Sequence, residues 1–249
     1  MFNYKKIFIQ ITLYVKGVKI MVHKYKTYIK GFDEELDGGI PENHIVLISG
    51  TPGTMKSSVA YNILYNNIKN EGSNGVYVSL EQSRENFMFQ IQSLGLHDIE
   101  DLDLTILDMA KIRKEVDMSK ERPWIEVVKK HLDYLKETLE FDLLVIDSLP
   151  VVEMLSKIED ERAYLFYFFE WLRDLKVTSF IIAEISPDPT KVYPEEFLAD
   201  GIILLTMERV NEVDVHRRIR CVKMRGVDHN TGYFTLEFKD DTFQASQAI

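Results

Sequence analysis

The chain has 249 residues, a formal net charge of −10, 45% hydrophobic residues and one cysteine. This length can bury the core of one large globular domain or two small ones, and the ordinary glycine and proline content excludes fibrous and low-complexity classes. Cys221 alone forms neither an internal disulfide nor a thiolate metal cluster, which fits a reducing cytoplasm. The negative charge argues against a protein whose main role is to coat nucleic acid.

The charge is unevenly distributed along the chain. Residues 1–30 contain seven lysines and no acidic residue, whereas the remainder holds 23 basic residues against 40 acidic ones. The apolar run Ile7–Val15 is too short to span a bilayer, and no small-residue cleavage site follows it, so neither a signal peptide nor a membrane anchor is expected. We therefore treat residues 1–23 as a basic extension, either an extra edge strand or a segment upstream of a true start at Met21.

From residue 45 onward the hydrophobic pattern alternates between strands and helices. Strands are predicted over residues 45–49, 76–80, 104–107, 143–146, 179–185 and 202–206. Short apolar strands separated by helices indicate an α/β fold with a mostly parallel sheet covered on both faces. Residues 217–225 and 233–238, joined by a turn, predict an antiparallel hairpin added to that sheet. Since no linker interrupts this pattern, we expect one domain over residues 24–249.

The strongest chemical signal lies between the first strand and the first helix. It is the loop of Gly50, Thr51, Pro52, Gly53, Thr54, Met55, Lys56 and Ser57. Its glycines let backbone amides turn toward phosphates, and the helix amino terminus behind them favours anions. Lys56 would reach the β- and γ-phosphates, and Ser57 would offer its hydroxyl to Mg²⁺. Met55 occupies a position that is normally glycine, which costs on the order of 1 kcal/mol if its φ is positive.

Three carboxylates are expected at the same edge of the sheet as this loop. Asp147 follows the apolar strand LLVI, where open α/β sheets place their ligands, and is predicted to hold a water of the Mg²⁺ shell. Glu81 follows the strand GVYVSL and is the candidate general base for the attacking water. Glu184 is a second rim carboxylate that could sense the γ-phosphate. Together these residues predict binding of a nucleoside triphosphate with magnesium.

Six segments, taken in order, resemble those of a KaiC domain, a branch of the RecA/RadA ATPase superfamily. They are GFDEELDGGIP, the phosphate loop GTPGTMKS, VYVSLEQSREN, LLVIDS, EEFLADGIILL and VKMRGVDHN. The resemblance runs from about residue 24 to the end of the chain. It implies a RecA-like P-loop fold, binding of ATP and Mg²⁺, and a homo-oligomer, specifically hexameric rings with nucleotide between subunits.

The resemblance also implies roles for two cations near the end of the chain. In such domains the Lys-x-Arg pair of the KMRG strand reaches the phosphates bound by the neighbouring subunit, and here these residues are Lys223 and Arg225. Two positions apart on a predicted strand, they would project from one face. The alternative is an ordinary basic strand face, because six basic residues fall within residues 209–225.

The chain departs from the family pattern in several places. Besides Met55, the usual pair of adjacent acids after the second strand is Glu81-Gln82 here, so only Glu81 is carried over as the base. The family is named for a circadian clock protein that has two ATPase domains, whereas this chain has one. A clock function is therefore not inherited from the resemblance.

Other features favour structural roles. The aromatic run within residues 164–171 belongs to a helix that is apolar on every side, so we expect core or subunit packing and not base stacking. The six histidines lack ligand spacing, so no metal site beyond nucleotide-bound Mg²⁺ is expected. Residues 186–196, which correspond in order to a recombinase DNA loop, hold three acids and one lysine, a poor composition for contacting a phosphate backbone.

Three functional hypotheses remain open. The first is an oligomeric ATPase with Glu81, Lys223 and Arg225 as catalytic groups. The second is a switch that binds ATP to control assembly, or to regulate an unknown protein partner, with negligible hydrolysis; Met55 and the missing second acid favour it. The third is a DNA-binding recombination accessory protein, suggested by superfamily resemblance and by the basic strand.

Overall fold

The computed structural model describes residues 22–96, 99, 101–109, 111, 124–156, 160–185 and 193–247. Predictions about residues 1–21 and about most of the 186–196 loop therefore concern residues outside this part of the chain. The strands are β1 Lys24–Tyr25, β2 Ile40–Pro41, β3 Ile45–Gly50, β4 Gly75–Ser79, β5 Leu104–Asp108, β6 Leu143–Asp147, β7 Thr178–Glu184, β8 Gly201–Arg209, β9 Val215–Met224, β10 Phe234–Lys239 and β11 Thr242–Gln247. The helices are α1 Lys56–Glu71, α2 Arg84–Gln92, α3 Trp124–Leu139, α4 Leu149–Ser156, α5 Glu161–Asp174 and α6 Pro194–Leu198, with a 3-10 turn at Glu34–Leu36.

Nine of the strands form one sheet in the order β11-β10-β9-β8-β3-β7-β6-β4-β5. The six strands from β8 to β5 in this order run parallel to one another. β9, β10 and β11 continue the sheet in antiparallel pairing. The predicted α/β class, with a mostly parallel sheet and an antiparallel extension near the end of the chain, is confirmed.

Apolar side chains cover both faces of the parallel strands. Along β3, Val46 and Ile48 join a cluster formed with α1 and α2, whereas Ile45 and Leu47 join a second cluster formed with α3, α4 and α5. A strand buried on both faces needs apolar residues at every position, which explains its uninterrupted hydrophobic sequence. This packing fixes the carboxyl ends of β3, β4, β6 and β7 along one edge of the sheet.

The aromatic helix α5 has one face in the core and another face exposed on this chain. Leu165, Phe168 and Phe169 lie in the core, but the side chains of Phe166 and Tyr167 are 48% and 69% exposed. Residues spaced three and four apart share one helix face, so only that face of α5 reaches the sheet. Tyr164 and Trp171 are partly buried against the same cluster as Phe168 and Phe169, so four of the six aromatic residues pack on the core. Subunit packing of the other two stays a prediction.

Strand β11 was not predicted from the sequence. Its residues, TFQASQ, alternate weakly between apolar and polar, and of these only Phe243 is fully buried. β11 is held in the sheet by its antiparallel pairing with β10, in which six residue pairs, from Phe234–Gln247 to Lys239–Thr242, are in register. No helix among the described residues is long and apolar enough to span a bilayer.

Candidate functional site

The loop between β3 and α1 has the backbone geometry that its glycines predict. A Cβ atom on Gly50 would collide with the carbonyl oxygen of Leu205 on the neighbouring strand β8. Gly53 has a φ of 83°, in the left-handed region that glycine adopts without strain. The Thr54 hydroxyl donates to the Thr51 carbonyl over 2.8 Å and closes the loop on itself. At the start of α1, the first amide groups of the helix have no intrahelical acceptor and are available to an anion.

Met55, the residue that departs from the family pattern, adopts the positive φ anticipated for its position. Its φ and ψ are 70° and 29°, and it caps the amino end of α1 without a side-chain hydrogen bond. A side chain in this region costs on the order of 1 kcal/mol. The Met55 side chain is partly buried against the apolar cluster formed with α1 and α2, which offsets part of that strain. The loop therefore keeps its shape with methionine at the position that is normally glycine.

Lys56 is held inside the loop by two weak contacts. Only 8% of the residue is exposed, and its Nζ donates to the Thr51 carbonyl over 3.1 Å. The Glu184 Oε1 atom lies 3.8 Å from the same nitrogen. Burial lowers the pKa of Lys56, and the nearby carboxylates of Glu184, Asp147 and Glu81 oppose that shift. A phosphate that entered the loop would satisfy the ammonium group better than either present partner does.

Asp147 and Ser57 meet at the end of β6. The Asp147 carboxylate is 7% exposed, and its Oδ2 accepts a 2.6 Å hydrogen bond from the Tyr77 hydroxyl on β4. Burial raises the pKa of Asp147, while hydrogen bonds from Tyr77 and Ser57 act in the opposite direction. A hydroxyl beside a carboxylate is an oxygen donor set that suits Mg²⁺. Among the described residues, no group of three or more His, Cys, Asp and Glu could hold a metal ion.

Glu81 lies at the same edge, directly beyond β4. Its Oε1 accepts a short hydrogen bond from the Ser148 hydroxyl, which follows Asp147 in the chain. Glu81, Asp147 and Glu184 line a cleft of about 330 Å³, together with residues 52–58 of the loop. The structure thus brings six of the eight predicted loop residues, Pro52 to Ser57, into one cleft with all three predicted carboxylates.

Three residues in or beside the cleft were not identified from the sequence. Tyr77 holds Asp147, Ser148 holds Glu81, and Gln90 on α2 donates to the Ser58 hydroxyl over 3.3 Å. The one usable signal was the polar tip of Tyr77 within an otherwise apolar buried strand, because a buried hydroxyl requires a partner. Gln90 gave no signal, since α2 itself was not predicted.

Lys223 and Arg225 lie apart from this cleft, and neither is among the residues that line it. Strand β9 ends at Met224, so the prediction that both lie on the strand was wrong for Arg225. Both nevertheless reach the segment that follows α6. Lys223 donates to the Ala199 carbonyl over 2.7 Å, and Arg225 donates to the Asp200 carboxylate over 2.8 Å. We call Lys223, Arg225, Asp200, Arg173 and residues 196–199 the cation patch.

A sequence model of the KaiC family of ATPases matches residues 25–245. The chain belongs to this family. Membership confirms the resemblance noted above and makes the chain a member of a family of nucleotide-binding ATPases with a RecA-like fold. The geometry of the loop and of Asp147 agrees with that assignment.

Individual relatives extend the comparison. The circadian clock oscillator protein KaiC of Prochlorococcus marinus is 28% identical over 91% of this chain and 45% of its own length, and that of a Picosynechococcus strain is 30% identical over 91% and 44%. The chain thus spans about half the length of the curated clock proteins that it matches. A UPF0273 protein of Aeropyrum pernix is 29% identical over 88% of this chain and 92% of its own length. The crystal structure of a KaiC-like protein from Pyrococcus horikoshii OT3 has the same fold, with a TM-score of 0.75, 24% identity and coverage of 90% of this chain and 99% of that one.

Proposed function

We propose that the chain is a Mg²⁺-dependent ATPase that works as a homo-oligomer, with each nucleotide shared between two subunits. One observation carries the proposal: Lys56, Ser57, Asp147 and Glu81 converge in a single cleft at the carboxyl edge of the sheet. Open α/β sheets place their ligands at this edge. The cleft combines a phosphate cradle, an oxygen donor pair for a cation and a carboxylate that could activate water.

Each residue of the cleft has a definable role. Loop amides and Lys56 would bind the phosphates, and Lys56 would exchange its 3.8 Å contact with Glu184 for a phosphate oxygen. Ser57 and Asp147 would hold magnesium, which when bound offsets phosphate charge in the transition state. Glu184, once released by Lys56, would remain beside the γ-phosphate position.

Glu81 is the proposed general base. Since its Oε1 accepts from Ser148, the other carboxylate oxygen is left to accept a hydrogen bond from an attacking water. Glu81 lines the same cleft as Lys56 and Ser57 of the loop, which supports this assignment.

The oligomer supplies the remaining positive charge in this proposal. Lys223 and Arg225 do not line the cleft of their own chain, yet the Arg225 side chain is 52% exposed and can face another molecule. A cation delivered from an adjacent subunit would stabilise charge on the transferring γ-phosphoryl group. The family resemblance suggests a hexameric ring as the assembly.

The substitution Glu81→Gln tests the catalytic part of this proposal. It keeps the size of the side chain and removes its basicity, so phosphate release should fall by at least about 100-fold. ATP affinity, measured by calorimetry, should stay within about threefold, because the phosphate cradle is intact. Glu42→Gln, a change at an exposed residue outside the cleft, is the control. Phosphate release that is unaffected by Glu81→Gln contradicts the assignment of the base.

A second candidate function, an assembly switch with negligible hydrolysis, is favoured by the left-handed Met55 and by Gln82 in place of a second acid. Met55→Gly distinguishes the two candidates. If Met55 merely strains an active loop, the glycine variant should release phosphate several-fold faster, since it relieves about 1 kcal/mol of strain. Absence of turnover in both forms, with ATP-dependent assembly in both, would favour the switch.

The DNA-binding hypothesis receives less support from the basic strand. Arg218 is buried and pairs with Glu208, and Arg220 lies over the ring of Tyr233, 4.9 Å from its centroid. These two charges are engaged within the chain and do not form a free phosphate-binding face. The ATPase proposal therefore does not include nucleic acid as a partner.

A further inference from the structure

Asp200 is the hub of the cation patch. It lies between α6 and β8 and is 7% exposed. One of its oxygens accepts from Arg173 over 2.7 Å and from the backbone amide of Ile45 over 3.1 Å, and the other accepts from Arg225 over 2.8 Å. Burial alone would raise the pKa of Asp200, but the hydrogen bonds from Arg173, Ile45 and Arg225 hold it below its ordinary value. The carboxylate is thus a fixed anion bonded to two cations.

The same cations bind the end of α6. Lys223 donates to the Glu196 and Ala199 carbonyls over 3.0 and 2.7 Å. Arg173 donates to the Leu198 carbonyl over 2.6 Å, and Arg225 donates to the Phe197 carbonyl over 3.3 Å. Four consecutive carbonyls therefore accept from three positive side chains, which suits the negative end of a helix. Arg173, Lys223 and Arg225 cannot move far without breaking contacts with this one segment.

The charge of the patch is unbalanced. Three cations surround Asp200, and Lys223 is also attracted by the Glu196 carboxylate. Burial lowers the pKa of Lys223, and repulsion from Arg225 and Arg173 adds to that effect. Since Asp200 neutralises one of these cations, positive charge remains in excess. An anion of high charge, such as a triphosphate, would relieve the repulsion between the cations.

We propose that Asp200 is a positioning residue that holds the Arg225 guanidinium, and through α6 the Lys223 ammonium, in the arrangement that reaches the triphosphate of an adjacent subunit. The inference rests on the proposed shared site. It adds a residue that touches no phosphate itself but sets where the donated charge lies. Asp200 binds one Nη atom of Arg225, and about half of that side chain remains exposed toward a partner.

The competing explanation is that Asp200 only supports the fold by joining β8 to β3 through the Ile45 amide. Asp200→Asn separates the two explanations, because the amide keeps the size and one acceptor oxygen but loses the charge. If Asp200 is a positioning residue, Asp200→Asn should lower kcat about 10- to 100-fold, with little change in KM for ATP. Glu208→Gln alters another carboxylate–arginine pair, between Glu208 on β8 and Arg218 on β9. It is the matched control and should change kcat less than twofold.

Mixing subunits gives the decisive readout. A Glu81→Gln subunit has a defective cleft but intact cations, and an Asp200→Asn subunit has the opposite defects. Co-assembly should restore phosphate release well above the sum of the two separate proteins, because some interfaces then combine an intact cleft with an intact patch. The effect of Asp200→Asn on kcat should also be much smaller in an Arg225→Ala background, since Asp200 binds Arg225 directly and Lys223 only through α6. Additive losses, or no recovery on mixing, would overturn the assignment.

The same experiment distinguishes failure of the inference from failure of the shared site. Arg225→Ala mixed with Glu81→Gln tests the shared site alone. Recovery for that mixture without recovery for Asp200→Asn would reject the role of Asp200 only, whereas no recovery for either would reject the shared site and the inference with it. If Asp200→Asn does not fold, Asp200→Glu takes its place, because it keeps the charge and displaces the carboxylate by one methylene. Asp200→Glu should also lower phosphate release, and mixing with Glu81→Gln subunits should restore it in the same way.

Discussion

Lys56 and Arg225 are both proposed to bind the same kind of triphosphate, but the chain holds them in opposite ways. Lys56 is 8% exposed, inside a loop whose shape is set by its own backbone, and it contacts three rim carboxylates electrostatically. The Arg225 side chain is 52% exposed and is held by Asp200 beside a short helix. In the proposed site, one chain supplies the whole phosphate-binding loop, whereas the second set of positive charges lies at its surface, away from its own cleft. The proposed site is therefore divided between subunits.

The largest effect on turnover should come from Arg225, the exposed residue of the pair. Arg225→Ala should lower kcat by about 1,000-fold, because a cation donated to the γ-phosphoryl group contributes about that much to phosphoryl transfer. ATP affinity of the unassembled chain should be unchanged, since Arg225 does not line the cleft of its own chain. Steady-state phosphate release and calorimetry measure the two quantities. Arg220→Ala, which removes another arginine from β9 itself, is the control. An equal loss of kcat in that variant would contradict the role assigned to Arg225.

Lys56, the buried residue of the pair, should affect ATP binding, whereas Arg225 should affect turnover. Lys56→Ala should raise the Kd for ATP about 100-fold even in the isolated chain, because it removes a charge-assisted contact with the phosphates. A fluorescent ATP analogue titrated at low protein concentration measures this affinity. Lys26→Ala, which removes a surface lysine paired with Glu71, should leave the Kd unchanged. Wild-type affinity for ATP in the Lys56→Ala variant would contradict the proposal that this cleft binds the phosphates.

The smallest expected effect tests whether the cleft is built in advance. Tyr77→Phe should lower the free energy of unfolding by about 1.5–3 kcal/mol, because its hydroxyl bonds the buried Asp147 carboxylate. Tyr61→Phe is a close control: the two rings lie 6.0 Å apart, and the Tyr61 hydroxyl is buried without a partner among the described residues. Its removal should be neutral or stabilising in urea denaturation. Equal losses in both variants would mean that the hydrogen bond to Asp147 does not support the cleft.

The sequence predicted the parts of the site that depend on local pattern. The phosphate loop, the strand before Asp147 and the position of Glu81 each follow from a short run of residues, and the structure places them as expected. The bond between Tyr77 and Asp147 joins residues 70 positions apart, and it depends on β4 and β6 being neighbours in the sheet. That neighbourhood is a property of the topology and not of either strand alone.

The cation patch was less predictable for the same reason. The KMRG motif identified Lys223 and Arg225, but the end of β9 at Met224 and the contacts with α6 follow from tertiary packing. Asp200 gave no signal, because an aspartate before a strand is common and its partner Arg173 lies 27 residues earlier on α5. The sequence left open whether the aromatic residues of α5 pack in the core or against a subunit, because aromatic composition does not reveal which side of a helix meets the sheet.

The most direct test of a divided site is the dependence of activity on assembly. Mass in solution and phosphate release should be measured together over a range of chain concentrations, with and without Mg-ATP. We predict that Mg-ATP increases the mass and that phosphate release per chain rises from near zero as the oligomer forms, because only then do Lys223 and Arg225 meet a neighbouring cleft. Constant release per chain from a monomer at every concentration would contradict the account.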